Sequence, residues 1–365
     1  MTRRPLLLLA AASAAVFTLA GCAQSSAGES SSGSQAAEET TAAAAPAPAP
    51  FDGDESVEVA LVRQSGAGDY FTAWGSGAQK QADAVGIDLT VTDARNDNAK
   101  HASDLEQAIA SAPDAIIVDH GQTDTIEPLV HQAVEAGIPV VVYDLALNDA
   151  TGVIVTSQSD ESMAQGVLDQ LIEDVGEGAN VGYVSATGFA PLDRRAAVWN
   201  EVVEQNGLEQ VFSTGKVTES TATDNIPLVD AALKQNPDVQ AIFAPYDEIT
   251  KGVVQAVLQN NLQEQVKVYG IDISNADIEV MTAEGSPWVA TSATDPASVG
   301  AAVVRTLALS LAGELEEESV QFPAVTITQQ FLLDEEITNV SELREAEPAL
   351  LLDDVVVADW LPAVS

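Results

Sequence analysis

Two aspartates, Asp144 and Asp272, each end a run rich in β-branched residues, and the first of these runs is apolar throughout. The runs span residues 138–144 and 266–272. An unbroken run of this kind predicts a strand that is covered on both faces, as in a parallel sheet with helices above and below. Ligands of such sheets collect at the carboxyl ends of the strands, so we expect Asp144 and Asp272 to share one cleft.

A carboxylate withdrawn from water is costly unless hydrogen-bond donors meet it, and each charge-assisted bond contributes about 1.5–3 kcal/mol. The vicinal hydroxyls or the ammonium group of a small ligand supply such donors. The alternative is that Asp144 and Asp272 cap neighbouring helix N-termini or accept from loop amides. The residue types leave both interpretations open.

Patterns typical of enzymes and metal sites are weak. The three histidines, His101, His120 and His131, lack the spacing of zinc ligands and are expected at the surface. A glycine-bearing loop at residues 65–71 resembles a dinucleotide fingerprint, but Phe71 occupies its third glycine position. We therefore predict neither metal nor cofactor and no enzymatic activity, with a secreted dinucleotide-type enzyme as a minor alternative.

The elements that position the two aspartates alternate between strand and helix signals. The first set is predicted as strands 57–62, 87–92, 115–118, 138–142 and 153–155 with helices 70–85, 99–111 and 126–136. The second set is predicted as helices 161–173, 194–205, 226–235 and 249–259 with strands 180–185, 211–214, 240–244 and 266–271. A short strand at 289–291, a helix at 297–311 and an edge strand at 325–328 follow. This order predicts an α/β fold of two doubly wound parallel-sheet lobes.

The first 55 residues have a different character. Arg3 and Arg4 precede an apolar stretch too short to span a bilayer, so residues 1–21 are predicted to be a signal peptide. Residues 19–22 resemble the lipobox of bacterial lipoproteins, in which Cys22 receives the lipid. A twin-arginine signal is the alternative route of export. Residues 22–55 are rich in Ser, Ala and Pro and are expected to form a disordered tether.

Composition limits the partners. The 365 residues include 56 acidic and 14 basic side chains, for a formal net charge of −42. Such a surface repels phosphate backbones, so no nucleic-acid partner is expected, and the acidity favours solubility or the steering of a cationic solute. The single cysteine, Cys22, excludes a disulfide framework.

Residues 57–328 resemble the periplasmic ribose-binding protein family, the type I solute-binding proteins of sugar ABC transporters. The motifs that carry the resemblance are Ala60-Leu61-Val62 followed by Tyr70-Phe71, residues 77–83, residues 136–140 leading to Asp144, residues 237–244, and residues 268–272. The resemblance implies lobes of residues 56–156 plus 295–323 and 157–294 plus 324–345, joined by a three-stranded hinge. Residues 346–365 then form a C-terminal extension, expected to pack on a lobe.

Site residues follow from the same resemblance. It implies that Tyr70 and Phe71 stack on the apolar face of a sugar ring, while Asp144 and Asp272 accept hydrogen bonds from its hydroxyls. Gln64 falls where the family has a polar ligand contact on the first loop.

The chain also departs from the family. The family has an arginine directly after the first aspartate, where this chain has Leu145, and its second-lobe arginine corresponds to Arg194 or Arg195. Tyr246 replaces an asparagine and Thr294 a glutamine near the hinge, and both are expected to contact the ligand. Fewer donors and an additional aromatic argue against ribose. They favour another pentose, a deoxysugar or a polyol, and an amino compound stays open.

The predicted function is that of a monomeric, extracytoplasmic lipoprotein at the cell membrane. It would bind a small sugar or polyol by hinge closure and deliver it to an ABC permease. The alternative is a receptor of the same fold whose closed form is recognised in chemosensing or signalling.

Overall fold

The computed structural model describes residues 45–364, so the predicted signal peptide, Cys22 and most of the tether lie outside the described residues. The first part of the chain alternates strand and helix: β1 Val57–Arg63, α1 Asp69–Val85, β2 Ile87–Asp93, α2 Asn98–Ser111, β3 Ala115–Asp119, α3 Thr123–Glu135, β4 Val140–Tyr143 and β5 Val153–Gln158. Each strand and helix predicted here is present, with ends shifted by a few residues.

The alternation continues in the second part: α4 Asp160–Val175, β6 Asn180–Val184, α5 Ala190–Gln205, β7 Glu209–Thr214, α6 Thr221–Gln235, β8 Ala241–Ala244, α7 Asp247–Gln259, β9 Lys267–Ile271, α8 Asn275–Thr282 and β10 Trp288–Ala293. The last part contains α9 Pro296–Leu311, β11 Ser319–Phe322, β12 Val325–Thr328, α10 Gln329–Asp334, α11 Val340–Ala346 and a 3-10 turn at Pro348–Leu351. Among the residues described, no helix combines the length and apolar character needed to span a bilayer.

The strands form two six-stranded sheets. The first has the order β11-β5-β4-β3-β1-β2 and is parallel throughout. The second has the order β12-β10-β9-β8-β6-β7, in which only the edge strand β12 is antiparallel. The predicted fold of two doubly wound lobes is confirmed. We call the lobe around the first sheet the first lobe and the other the second lobe.

Helices cover both faces of each sheet because their apolar residues recur every three or four positions. In α1 the buried stripe is Trp74, Ala78 and Ala82, which packs with α9 in one core of the first lobe. The backbones of α1 and α9 approach so closely that a Cβ on Gly77 would lie 1.9 Å from the carbonyl oxygen of Ala297. Glycine is required there by space alone.

The chain passes between the sheets three times, after β5, after β10 and between β11 and β12. The predicted first boundary at Thr156 is too early, because Ser157 and Gln158 still pair with Gln321 and Phe322 of the first sheet. Strand β11 and helices α8, α10 and α11 were not predicted. Strand β11 has only four residues and follows a run of glutamates, so its sequence carries little apolar signal.

The C-terminal segment touches both lobes. Leu350 is part of a core cluster of the second lobe, whereas Leu352 is part of a core cluster of the first. Further along, the Trp360 ring stacks on Phe51 at a centroid distance of 5.4 Å. The prediction that this segment packs on a lobe is therefore correct, although the segment also crosses from the second lobe to the first between Leu350 and Leu352.

The tether was expected to be disordered as far as Glu55, and this is wrong for the residues that the structure describes. Phe51 packs against Trp360, and Ala45 donates its backbone N–H to the carbonyl of Asp359. The reason is apolar burial: Ala47 and Phe51 join a small cluster built around Leu309 and Trp360.

Arg305 of α9 fixes the C-terminal segment on the first lobe. The side chain is 1% exposed, and its guanidinium donates to the carbonyls of Leu352 (2.9 Å) and Val355 (3.1 Å) and to Oε1 of Gln81 (3.2 Å). Burial lowers the pKa of Arg305 to about 10, so the group remains a cation at neutral pH. The carbonyl oxygens supply the solvation that water cannot.

We predict that Arg305→Met lowers the free energy of unfolding by about 2 kcal/mol, because buried carbonyls then lose their donor. Urea unfolding measures the change. Arg95→Met is the matched control, since it removes the same charge from an exposed side chain and is expected to change stability by less than about 0.5 kcal/mol. Equal losses in the two variants would contradict the role given to Arg305.

Candidate ligand-binding site

A cavity lies between the lobes at the carboxyl ends of both sheets. The empty space between its atoms, including the open mouth, is about 540 Å³. Its lining residues come from both lobes: Gln64, Ser65, Tyr70, Phe71, Asn96, His120, Gln158, Phe189, Pro191, Leu192, Arg195, Val217, Tyr246 and Asp272. The lobes thus enclose a space that neither forms alone.

Asp144 and Asp272 both lie at this end of the cleft, but only Asp272 lines the cavity. Asp144 lies beside it, where Arg194 of the second lobe donates to its carboxylate. Asp144 and Asp272 directly follow β4 and β9, with left-handed φ values of 48° and 79°. Both aspartates are buried, with Asp144 1% exposed and Asp272 3% exposed. One oxygen of each, Oδ2 of Asp144 and Oδ1 of Asp272, is buried without a hydrogen-bond partner in the described structure. Neither carboxylate therefore has its acceptor capacity filled by the protein.

Two neighbouring arginines, Arg194 and Arg195, lie next to different aspartates. Arg194 Nη2 donates to Oδ1 of Asp144 across the cleft at 2.7 Å and lies at its edge, whereas Arg195 lines the cavity. Arg195 Nη1 lies 3.9 Å from Oδ2 of Asp272 and donates to the carbonyl of Pro245 at 2.7 Å. Both guanidiniums are held by Asp160 at the start of α4, with Nε–O distances of 2.8 and 2.7 Å.

The surroundings of Asp144 and Asp272 disfavour the ionised form of both carboxyl groups. Burial, with the nearby charge of Asp160, raises the pKa of Asp144 to about 6, although Arg194 opposes the shift. Burial likewise raises the pKa of Asp272 to about 6 despite Arg195, and the charge of Asp144 adds to the effect. Donors from a ligand would stabilise the ionised forms.

Aromatic side chains of both lobes face each other across the cavity. Phe71 and Tyr246 have ring centroids 6.4 Å apart in an edge-on arrangement. Phe71 is positioned by Arg63, whose Nη2 donates to the Phe71 carbonyl at 2.9 Å. Tyr70 also lines the cavity, and its hydroxyl is hydrogen-bonded to that of Tyr143. These rings offer the flat apolar surface that a sugar ring requires.

Polar side chains complete the first-lobe wall. Gln64 donates through Nε2 to Asn98 at 2.9 Å, while its Oε1 is buried without a partner in the described structure. His120 contacts Phe71 edge-on at 5.1 Å, and its Nδ1 lies 2.6 Å from the Asp119 carboxylate. Although burial works to lower the pKa of His120, the Asp119 carboxylate raises it above its usual value.

Some predictions about individual residues were wrong. Thr294 does not line the cavity; its hydroxyl donates to Oε1 of Gln158 at 2.6 Å, and Gln158 is the residue that faces the space. Leu145, for which no ligand contact was predicted, packs in a first-lobe core cluster and does not line the cavity. His101 and His120, expected at the surface, are buried.

The other cavity residues that sequence reasoning missed mostly follow strands. His120 comes directly after β3 and Asn96 shortly after β2. Phe189 and Val217 follow β6 and β7. The rule that located Asp144 and Asp272 applies to each of these positions, but an uncharged residue after a strand gave no reason to single it out.

A cluster of acids at the rim of the cleft already holds a cation. The carboxylates of Asp69, Asp247 and Glu248 converge closely enough for a metal ion. Lys251 Nζ lies among them, 2.7 Å from Asp69 and 2.6 Å from Glu248, so an ammonium group occupies the position. Asp69 belongs to the first lobe and Lys251 to the second, and their ion pair bridges the cleft.

Comparison with known proteins gives consistent results. A family model described as a periplasmic binding protein domain matches residues 59–315. The ribose import binding proteins of Bacillus subtilis and Escherichia coli are 25% and 28% identical, over 72% and 70% of this chain and 84% and 85% of their own lengths.

Two solved structures of related proteins superpose on this chain over nearly their whole length. A 5-methylthioribose transporter solute-binding protein from Thermotoga lettingae is 38% identical, with a TM-score of 0.82 over 86% of this chain and 98% of its own. A sugar ABC transporter protein from Yersinia enterocolitica is 31% identical, with a TM-score of 0.83 over 88% and 98%. The matches cover both lobes, so the chain belongs to the periplasmic binding protein family and is a homologue of the ribose import binding proteins.

Proposed function

We propose that this protein is the extracytoplasmic receptor of an ABC importer and binds a small sugar between its lobes. The observation that carries the proposal is the pair Asp144 and Asp272, one from each lobe, each with a buried oxygen that lacks a donor. A sugar supplies hydroxyl donors, and Phe71 and Tyr246 supply apolar contact for its ring. The Thermotoga lettingae relative was solved with 5-methylthioribose, which supports a sugar ligand.

Binding would work by a shift in population between open and closed forms. Only the closed form lets one solute contact both lobes, so the solute stabilises it by the difference in contacts. We place the hinge at the three passages that follow β5, follow β10 and join β11 to β12. No covalent chemistry is assigned, in keeping with relatives that are named for import or solute binding.

The proposal includes a membrane anchor and a permease partner. Lipid attachment at Cys22 would hold the receptor at the cell membrane, and the segment between Cys22 and the folded part would keep it within reach of the permease. The lipobox-like residues 19–22 support the anchor. The protein would act as a monomer.

We predict that Asp272→Asn weakens solute binding by about 10- to 100-fold, because a charge-assisted hydrogen bond becomes a neutral one. A thermal-shift screen over pentoses, hexoses, deoxysugars, polyols and amino compounds first identifies the solute, which at 100 times its Kd adds about 2.7 kcal/mol of stability. Titration calorimetry then measures the variant. Asp238→Asn, at an exposed site, is the control. Unchanged affinity in Asp272→Asn would remove the central support of the proposal.

The Asp69–Lys251 ion pair should slow solute release. Asp69→Asn removes the bridge between the lobes, and release is expected to be about 2- to 5-fold faster, since the carboxylate is half-exposed and the pair is partly screened. Stopped-flow release at low and high salt measures it, and the difference from wild type should shrink as salt rises. The control is Asp88→Asn, an exposed acid of β2. A rate equal to wild type at low salt would show that the pair does not resist opening.

Lipid attachment predicts that Cys22→Ser moves the protein from the membrane fraction to the soluble extracytoplasmic fraction and abolishes labelling by a fatty-acid analogue. The driving force is the burial of acyl chains, about 0.8 kcal/mol per methylene. Ser26→Ala, in the same segment, should leave both measurements unchanged. Retention of Cys22→Ser on the membrane with unchanged labelling would refute attachment at this cysteine.

A further inference from the structure

The second-lobe wall of the cavity changes from polar to apolar along the order of its strands. Moving across the sheet from β9 through β8 and β6 to β7, the residues that line the cavity after each strand are Asp272, Tyr246, Phe189 and Val217. Neighbouring strands are about 4.8 Å apart, so strands β9 and β7, which precede the two ends of this series, lie about 14 Å apart. The carboxylate and the carbon surfaces therefore lie toward different ends of the cavity.

Helix α5 extends the apolar end. Pro191 and Leu192, in its first turn, line the cavity beside Phe189 and are buried. The first-lobe residue toward this end is Asn96, whose Nδ2 lies within hydrogen-bonding distance of Oγ of Ser65 and the carbonyl of Thr218. A ligand hydroxyl placed against Phe189, Leu192 and Val217 would exchange water for carbon atoms and lose affinity.

The polar end has the opposite property. Oδ1 of Asp272, which lines the cavity, and Oδ2 of the nearby Asp144 are buried acceptors without partners in the described structure. These two acceptors call for a ligand with hydroxyl donors on one side. The requirements of the two ends conflict for a sugar that has hydroxyls on every carbon.

We infer that the solute is a pentose-type sugar whose terminal hydroxyl is replaced by an apolar substituent, with Phe189, Leu192 and Val217 as the subsite that selects it. The inference rests on the proposed function, since it names the class of sugar that enters the same cavity. The ring hydroxyls meet the carboxylates of Asp144 and Asp272. The substituent occupies the apolar end, where it is removed from water.

The test compares ribose, 5-deoxyribose and 5-methylthioribose by titration calorimetry on the intact folded protein. We expect 5-methylthioribose to bind at least about 10-fold more tightly than ribose, with 5-deoxyribose between them, as one or two buried carbon-sized groups discriminate by that amount. Val217→Thr keeps the shape and adds a hydroxyl, so it should reduce the ratio several-fold. Phe189→Tyr should act in the same direction from a different loop.

The control is Val91→Thr, the same substitution at a residue of β2 that is 48% exposed, which should leave the ratio unchanged. Ribose binding as tightly as 5-methylthioribose would overturn the inference while leaving the proposed sugar receptor intact. Failure of every sugar in the thermal-shift screen to bind would overturn both. A ratio that is unchanged in both Val217→Thr and Phe189→Tyr would refute the assigned subsite even if the preference itself is observed.

Discussion

The structure of the cleft depends on the ion pairs of Asp160. This one buried carboxylate accepts hydrogen bonds from the guanidiniums of both Arg194 and Arg195. Two adjacent arginines repel each other when water is excluded, and a shared carboxylate offsets the repulsion. Each arginine is thereby fixed to reach a different aspartate, Arg194 to Asp144 and Arg195 toward Asp272. Three carboxylates face two guanidiniums, so the group keeps one excess negative charge. Burial, together with that excess charge, explains why the pKa values of Asp144 and Asp272 are raised.

The same arrangement gives the closed form its dependence on solute. Without a solute, closure leaves oxygens of Asp144, Asp272 and Gln64 buried without partners, and each such group costs about 1–3 kcal/mol. The ion pairs between the lobes, Arg194 with Asp144 and Lys251 with Asp69, act against this cost. A receptor of this kind needs both contributions. The ion pairs bring the lobes into register, while the unfilled acceptors ensure that a donor-rich solute stabilises the closed form far more than the open one.

The fold was largely predictable because buried parallel strands appear in the sequence as apolar runs. The runs that end in Asp144 and Asp272 also indicate the edge of the sheet where ligands bind. The direction of a side chain after the strand leaves no such pattern in the sequence. Leu145 follows a residue with φ of 48° and packs in the core of the first lobe, and its position after Asp144 in the sequence does not indicate this. Asp160 resembles any acid in the first turn of a helix. Only the folded chain shows that two arginines from α5 converge on it.

The charges of the cleft favour a neutral sugar over an amino compound, a choice that the sequence left open. An ammonium group is attracted by the excess negative charge of the cleft, but it would have to approach Asp144 or Asp272 beside the guanidinium that already neighbours each carboxylate. Like charges at such distances repel strongly where water is excluded. Hydroxyl donors satisfy the same oxygens without adding a charge. The carbon surfaces of Phe189, Leu192 and Val217 disfavour a charged group at the other end as well. Both ends of the cavity therefore favour a neutral solute.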